Sequence, residues 1–204
     1  MSDPTLIAGI IGATGSIIGT IGGVILGARL NNKKAKIGVY IDNKINVYYL
    51  RKNFCMYLPL TVTNEGNQSA TITTFEGKLI SPTGQSWLLY WTNFAEDNSH
   101  NGEGWTDGKA ATPILVHGNS GLQHYIKLVG IGETSDGFSD VALSTGKYEL
   151  LLKAYDRNKK VFNEQRYNFQ IETEPMEVLA KRRKDHEDFG SWWFLLYSTA
   201  TQNA

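Results

Sequence analysis

From Phe54 to Val62 the apolar residues Phe54, Met56, Leu58, Leu60 and Val62 stand two apart. That is the period of a strand with one buried face. Pro59 falls on the other phase and predicts an edge or a bulge there. Asn64-Glu65-Gly66-Asn67 then reads as a turn. Shorter β-rich runs surround this one, at Ile37–Ile41, Ile45–Leu50, Ala70–Ile80, Trp87–Trp91, Pro113–His117, Gln123–Val129, Lys147–Tyr155 and Val161–Ile171. Ser81-Pro82-Thr83-Gly84 and Asp156-Arg157-Asn158-Lys159 punctuate them as turns. Asn93–Ala111 is polar and Gly-rich and reads as a loop. Eight or nine short strands with little helix predict an all-β antiparallel sandwich over residues 37–172.

The N-terminal pattern is different. Pro4–Ala28 holds twenty-five residues without a charge, mostly Ile, Leu, Val, Ala and Gly. About twenty apolar helical residues cross a bilayer core, so residues 1–30 are expected to form a transmembrane helix. Gly15, Gly19, Gly23 and Gly27 recur every four residues, with Gly12 and Ser16 in a second row of small residues. On a helix such rows allow close backbone approach, so they predict a self-associating glycine zipper. A lone glycine-rich anchor is the plainer reading. A cleaved signal fits poorly, since Met1–Thr5 has no Lys or Arg. A dinucleotide-binding loop fits worse, because no βαβ unit follows and Lys33, Lys34 and Lys36 stand where its acid belongs. Arg29, Lys33, Lys34 and Lys36 flank the stretch on its C-terminal side, and residues 31–36 form a basic linker. The positive-inside rule then puts the N-terminus outside and the β domain in the cytoplasm, with those cations near membrane lipid.

Residues 173–204 depart from the β pattern. Pro175 suits a first helical turn, Lys181–Lys184 a last one, and Gly190 a stop. Trp192-Trp193-Phe194 and Tyr197 follow, too short a run to span. This tail is expected to sit at a membrane interface, to pack on the β domain, or to contact another subunit.

Two segments carry a resemblance. Leu58–Asn67 resembles the second strand and turn of many bacterial immunoglobulin-like domains, and Thr145–Asp156 resembles a late strand of the same group. The resemblance implies an immunoglobulin-like sandwich and a task of binding, spacing or scaffolding. It does not fix a function.

Composition narrows the chemistry. Twenty Lys and Arg balance twenty Asp and Glu, which argues against a nucleic-acid partner. The single cysteine, Cys55, excludes an internal disulfide. It falls on the polar phase of its strand and reads as a surface or edge thiol. The four histidines show no metal-ligand spacing, and no nucleophile elbow or calcium loop occurs. No catalytic residue, metal or cofactor is expected. In the loop, Phe94 and Trp105 lie among Glu103 and Asp107, a mixture suited to a peptide or sugar ligand. The alternative is a solvated loop with Trp105 tucked onto the sandwich. Residues 93–140 hold seven acids against Lys109 and Lys127, and residues 29–52 hold seven cations against Asp42. Such opposite charge would suit head-to-tail contacts between subunits.

Two functions follow as expectations. One is a single-pass membrane homo-oligomer, extending to a pore-forming or membrane-disrupting effector whose assembly the sandwich controls. The other is a tethered module that binds a protein or glycan.

Overall fold

The computed structural model describes residues 20, 23, 24, 27, 33–50, 53–98, 104–130, 141–185 and 191–198. Its central strand is β3 (Asn53–Asn64). On one side β3 pairs with β9 (Ser120–Gly130), from Cys55 opposite Val129 to Asn64 opposite Ser120. On the other it pairs with β1 (Ile37–Ile41) and then with β2 (Lys44–Leu50). Asp42 and Asn43 break that second edge beside Pro59. Asp42 N–H donates to the Pro59 carbonyl at 3.0 Å. In a strand, a residue's amide and carbonyl point to the same side. The donor that proline lacks therefore faces the break, where no ladder bond is lost.

The remaining strands are β4 (Ala70–Ile72), β5 (Thr74–Ile80), β6 (Ser86–Asp97), β7 (Trp105–Ala110), β8 (Ile114–Val116), β10 (Gly146–Tyr155), β11 (Val161–Ile171), β12 (Ser191–Leu195) and β13 (Tyr197–Ser198). A helix, α1 (Thr173–Asp185), follows β11. Eleven strands join a single antiparallel sheet in the order β12-β2-β3-β9-β6-β5-β10-β11-β13, with β1 also on β3 and β7 also on β6. β4 and β8 form a separate pair. Only Leu196 separates β12 from β13, yet β12 borders β2 at one end of the sheet and β13 borders β11 at the other. The sheet therefore curls into a half-barrel, and one short segment touches both its ends. The Tyr167 hydroxyl reinforces this closure by accepting the Ile41 N–H at 2.9 Å.

The concave side is the core. Ile45, Val47, Phe54, Met56, Leu58, Val62, Phe75, Leu79, Leu89, Ile126, Leu128 and Leu150 are fully buried there. Tyr148 stacks on Phe169 at 5.5 Å and satisfies its hydroxyl on the Ser144 backbone. Helix α1 is anchored by the fully buried Leu179.

Several expectations are corrected here. The all-β class stands, but the immunoglobulin-like two-sheet sandwich does not: one continuous sheet curls around the core. Among the described residues no helix is long and apolar enough to cross a membrane. Helix α1 has thirteen residues and carries Arg182, Arg183 and Lys184 in its last turn. At about 1.5 Å per residue it is short of a bilayer core. The transmembrane helix and the single-pass placement with the N-terminus outside and a cytoplasmic β domain are thus not supported by the described residues. Most of Pro4–Ala28 lies outside the described residues; of it Thr20, Gly23, Val24 and Gly27 are described, and they are helical. Of the zipper positions, Gly12, Gly15, Ser16 and Gly19 lie outside the described residues, as does the flanking Arg29. Gly23 and Gly27 are described, and beyond their own stretch of backbone no described residue approaches within 4 Å of the place a Cβ would occupy.

Candidate functional site

The convex side of the sheet carries an aromatic half. Alternation turns Lys44, Asn46 and Tyr48 of β2 outward, opposite Tyr57 and Cys55 of β3. Tyr125, Lys127 and Val129 of β9 continue the same face, opposite Pro59, Tyr57 and Cys55. Trp193 of β12 joins it opposite Asn46, and Asn46 Nδ2 donates to Ser191 Oγ at 2.8 Å to fix that strand.

The predicted loop 93–111 is instead a hairpin that leans over this face. The register of β6 shifts near Asn93 on both its sides, toward β9 and toward β7. Such bulges bend and twist a strand. They carry the hairpin end, where Asp97 faces Trp105 and Ala95 faces Asp107, across β9 and β3. The Trp105 ring centre lies 4.6 Å from Tyr125, 4.9 Å from Trp193 and 6.0 Å from Tyr57. Tyr57 stacks on Tyr48 at 5.1 Å. The Lys44 ammonium sits 4.8 Å above the Trp193 ring, a cation–π contact.

Beneath the rings lies a polar anchor. Asp107 accepts the Tyr57 hydroxyl at 2.9 Å on one oxygen and the Lys127 ammonium at 2.6 Å on the other. The Lys127 side chain is only 5% exposed, whereas Asp107 is 45% exposed. Burial pushes the phenols of Tyr48 and Tyr57 well above the ordinary tyrosine range. It also pushes the Cys55 thiol up. Cys55 is thus a buried, protonated thiol and not the surface thiol expected from its phase: Tyr48 and Val129 flank it on the neighbouring strands. A neutral thiol is a poor nucleophile, neutral phenols are poor bases, and Lys127 is held by its counter-ion. The arrangement is built for contact: ring faces and edges, one half-exposed carboxylate and the Lys44 ammonium.

The residues singled out in the sequence scatter across this picture. Trp105 and Asp107 enter the face. Phe94 turns away from it and packs edge-on against Trp91 at 5.0 Å. Glu103 lies outside the described residues. The C-terminal tail packs as a strand: Trp192 is half-buried against the core, Phe194 is buried, Trp193 is on the aromatic face, and Tyr197 is exposed. Lys33, Lys34 and Lys36 pack along the Asn64–Gln68 turn. Tyr48, Tyr57, Tyr125 and Lys127 were not foreseen. Their signal was present as aromatics on the polar phase of half-buried strands, where solvent-facing side chains are normally hydrophilic.

No protein-family model and no curated protein matches the chain. Among solved structures, a protein designated ApaA from Bordetella pertussis is similar at 8% identity over 66% of this chain and 94% of its own, with a TM-score of 0.37. A FixG-related protein from Vibrio parahaemolyticus is similar at 14% identity over 68% and 97%, with a TM-score of 0.35. The sporulation control protein Spo0M from Bacillus subtilis is similar at 9% identity over 72% and 53%, with a TM-score of 0.34. Likenesses this distant carry no argument about function.

Proposed function

We propose that the chain is a non-catalytic binding module that takes a protein partner on its aromatic face. The observation that carries this reading is the Trp105–Tyr125–Trp193 cluster seated on the Asp107–Lys127 pair. Trp and Tyr dominate the energetics of protein interfaces because they bury much area with few rotatable bonds. Tyr125 and Trp193 remain 36% and 40% exposed, and Leu195, two residues on from Trp193, is 59% exposed. Exposed apolar side chains gathered in this way mark an interaction surface. The other half of the convex side contrasts with it. There Lys153 pairs with Glu164 and Arg166 with Glu149, a solvated ionic surface.

Photo-crosslinking in the native cell tests this. A benzoylphenylalanine placed at Tyr125 or Trp193 is expected to yield discrete protein adducts that the same probe at Lys153 does not. Equal labelling from both faces, or none from either, sinks the proposal. Retardation of the chain in a polysaccharide gel, abolished by Trp193→Ala, replaces the protein partner with a glycan.

A further inference from the structure

A second concave feature lies outside the aromatic face. Residues 34–37, β4 and the turn between β10 and β11 enclose a cleft of about 660 Å³. That is within the ~300–1,000 Å³ range of small-molecule sites. Its walls bring Lys34 and Lys36 together with Arg157 and Lys160, from segments far apart in the chain. Among the described residues the only acid on the walls is Asp156. One of its carboxylate oxygens accepts the backbone N–H groups of Asn158 at 2.7 Å and Lys160 at 2.8 Å, so it is engaged in shaping its own turn. Lys36 pairs with Glu65 at 2.6 Å. Among the described residues, Lys34, Arg157 and Lys160 have no acidic partner within ion-pair distance. Three free cations against one acid leave a local surplus of about two positive charges.

The cations project from fixed backbone. The Lys33 carbonyl accepts the N–H groups of Asn67 at 3.1 Å and Gln68 at 3.2 Å, and the Lys36 carbonyl accepts that of Glu65 at 3.0 Å. Lys36 N–H donates to Asn64 Oδ1 at 3.1 Å. Gly66 lets the Lys34 backbone lie where any side chain would collide with it. Gln68, Ser69 and Asn158 add neutral hydrogen-bonding groups to the walls.

We infer that this cleft binds a phosphate monoester, with Arg157 forking onto two phosphate oxygens and Lys34 and Lys160 completing the charge. A monoester carries about −1.5 to −2 at neutral pH, which matches the surplus. Guanidinium suits bidentate contact with phosphate, and ammonium groups bind it as point charges. The ester is either a free small molecule or a lipid headgroup; the cleft chemistry is the same for both.

Calorimetric titration of the full chain with glycerol 3-phosphate, beside flotation with phosphatidic acid and phosphatidylcholine vesicles, tests the inference. Saturable binding of glycerol 3-phosphate is expected, weakened about tenfold or more by Arg157→Glu or Lys160→Glu, the loss of a charged hydrogen bond. Lys160→Glu keeps the backbone bond to Asp156, so the turn should persist, and an unchanged circular dichroism spectrum verifies that. Lys78→Glu, an exposed cation elsewhere, should leave binding intact. Flotation with phosphatidic acid alone, sensitive to the same two substitutions, also supports the inference and makes the headgroup the source. No binding to either probe overturns it, as does equal weakening by Lys78→Glu, which would mark unspecific charge attraction.

Discussion

Lys127 on β9 places its ammonium 2.6 Å from the carboxylate of Asp107 on β7, although the lysine is buried and the acid is nearly half-exposed. The pair holds the β6–β7 hairpin against the sheet. Removing one partner from a buried pair costs about 3–5 kcal/mol, because the other charge is left unpaired in the interior. Solvent reaches Asp107, so Asp107→Ala is expected to cost less, about 1–3 kcal/mol. Lys127→Met removes the buried charge and keeps the stem, and should cost less than Asp107→Ala. Urea unfolding of both variants checks the order. The reverse order would mean that the pair, rather than the burial of the lysine, sets the energy.

Phe194 is 4% exposed in the core and lies 5.5 Å from Phe169, opposite Ile45 across the β12–β2 ladder. Phe194→Ala is expected to destabilise the fold by about 3–5 kcal/mol, the range for a buried aromatic. Leu195→Ala, one residue on and facing solvent, should change stability by less than about 0.5 kcal/mol. Thermal unfolding of the two variants gives the comparison. Similar small losses would show that the terminal strand contributes little to the core.

His124 lies 5.3 Å from Phe94, and its Nε2 is buried without a hydrogen-bond partner. Burial lowers its pKa below the ordinary value of 6.5. The unfolded chain therefore takes up this proton first as pH falls. The contribution of neutral His124 is full above about pH 6.5 and is lost progressively below it, down through the folded-state value. Wild-type stability should drop as pH falls below about 6.5, and His124→Leu should reduce that drop. An unchanged slope in the variant would assign the acid sensitivity to other groups.

The strands were legible where alternation was clean. Phe54–Val62 has five inward residues in perfect period, and β3 runs through them. The Pro59 anomaly also pointed to a real irregularity, the break at Asp42–Asn43. The hairpin at Trp105–Ala110 was hidden because an overlying strand buries only scattered side chains, leaving Asp107, Lys109 and Ala110 exposed and the segment polar. The aromatic face was hidden for a related reason. It is assembled from one or two residues on each of five strands, and sequence period gives the phase of a strand but not its neighbours. The transmembrane expectation rested on residues 1–30, of which only Thr20, Gly23, Val24 and Gly27 are among the described residues. The basic cleft joins two turns whose proximity depends wholly on sheet order.

The segment Ser191–Ser198, which borders β2 and β11 at once, also sets an order of events. It is the last in chain order of the sheet's described strands, so both borders stay unpaired until it docks. Closure depends on pairings far apart in the chain, which are slow to form. Until then two open strand borders and an uncovered core are exposed to solvent or to other chains. Folding yield in the cell should therefore respond more strongly to changes in these eight residues than the stability of the finished protein does.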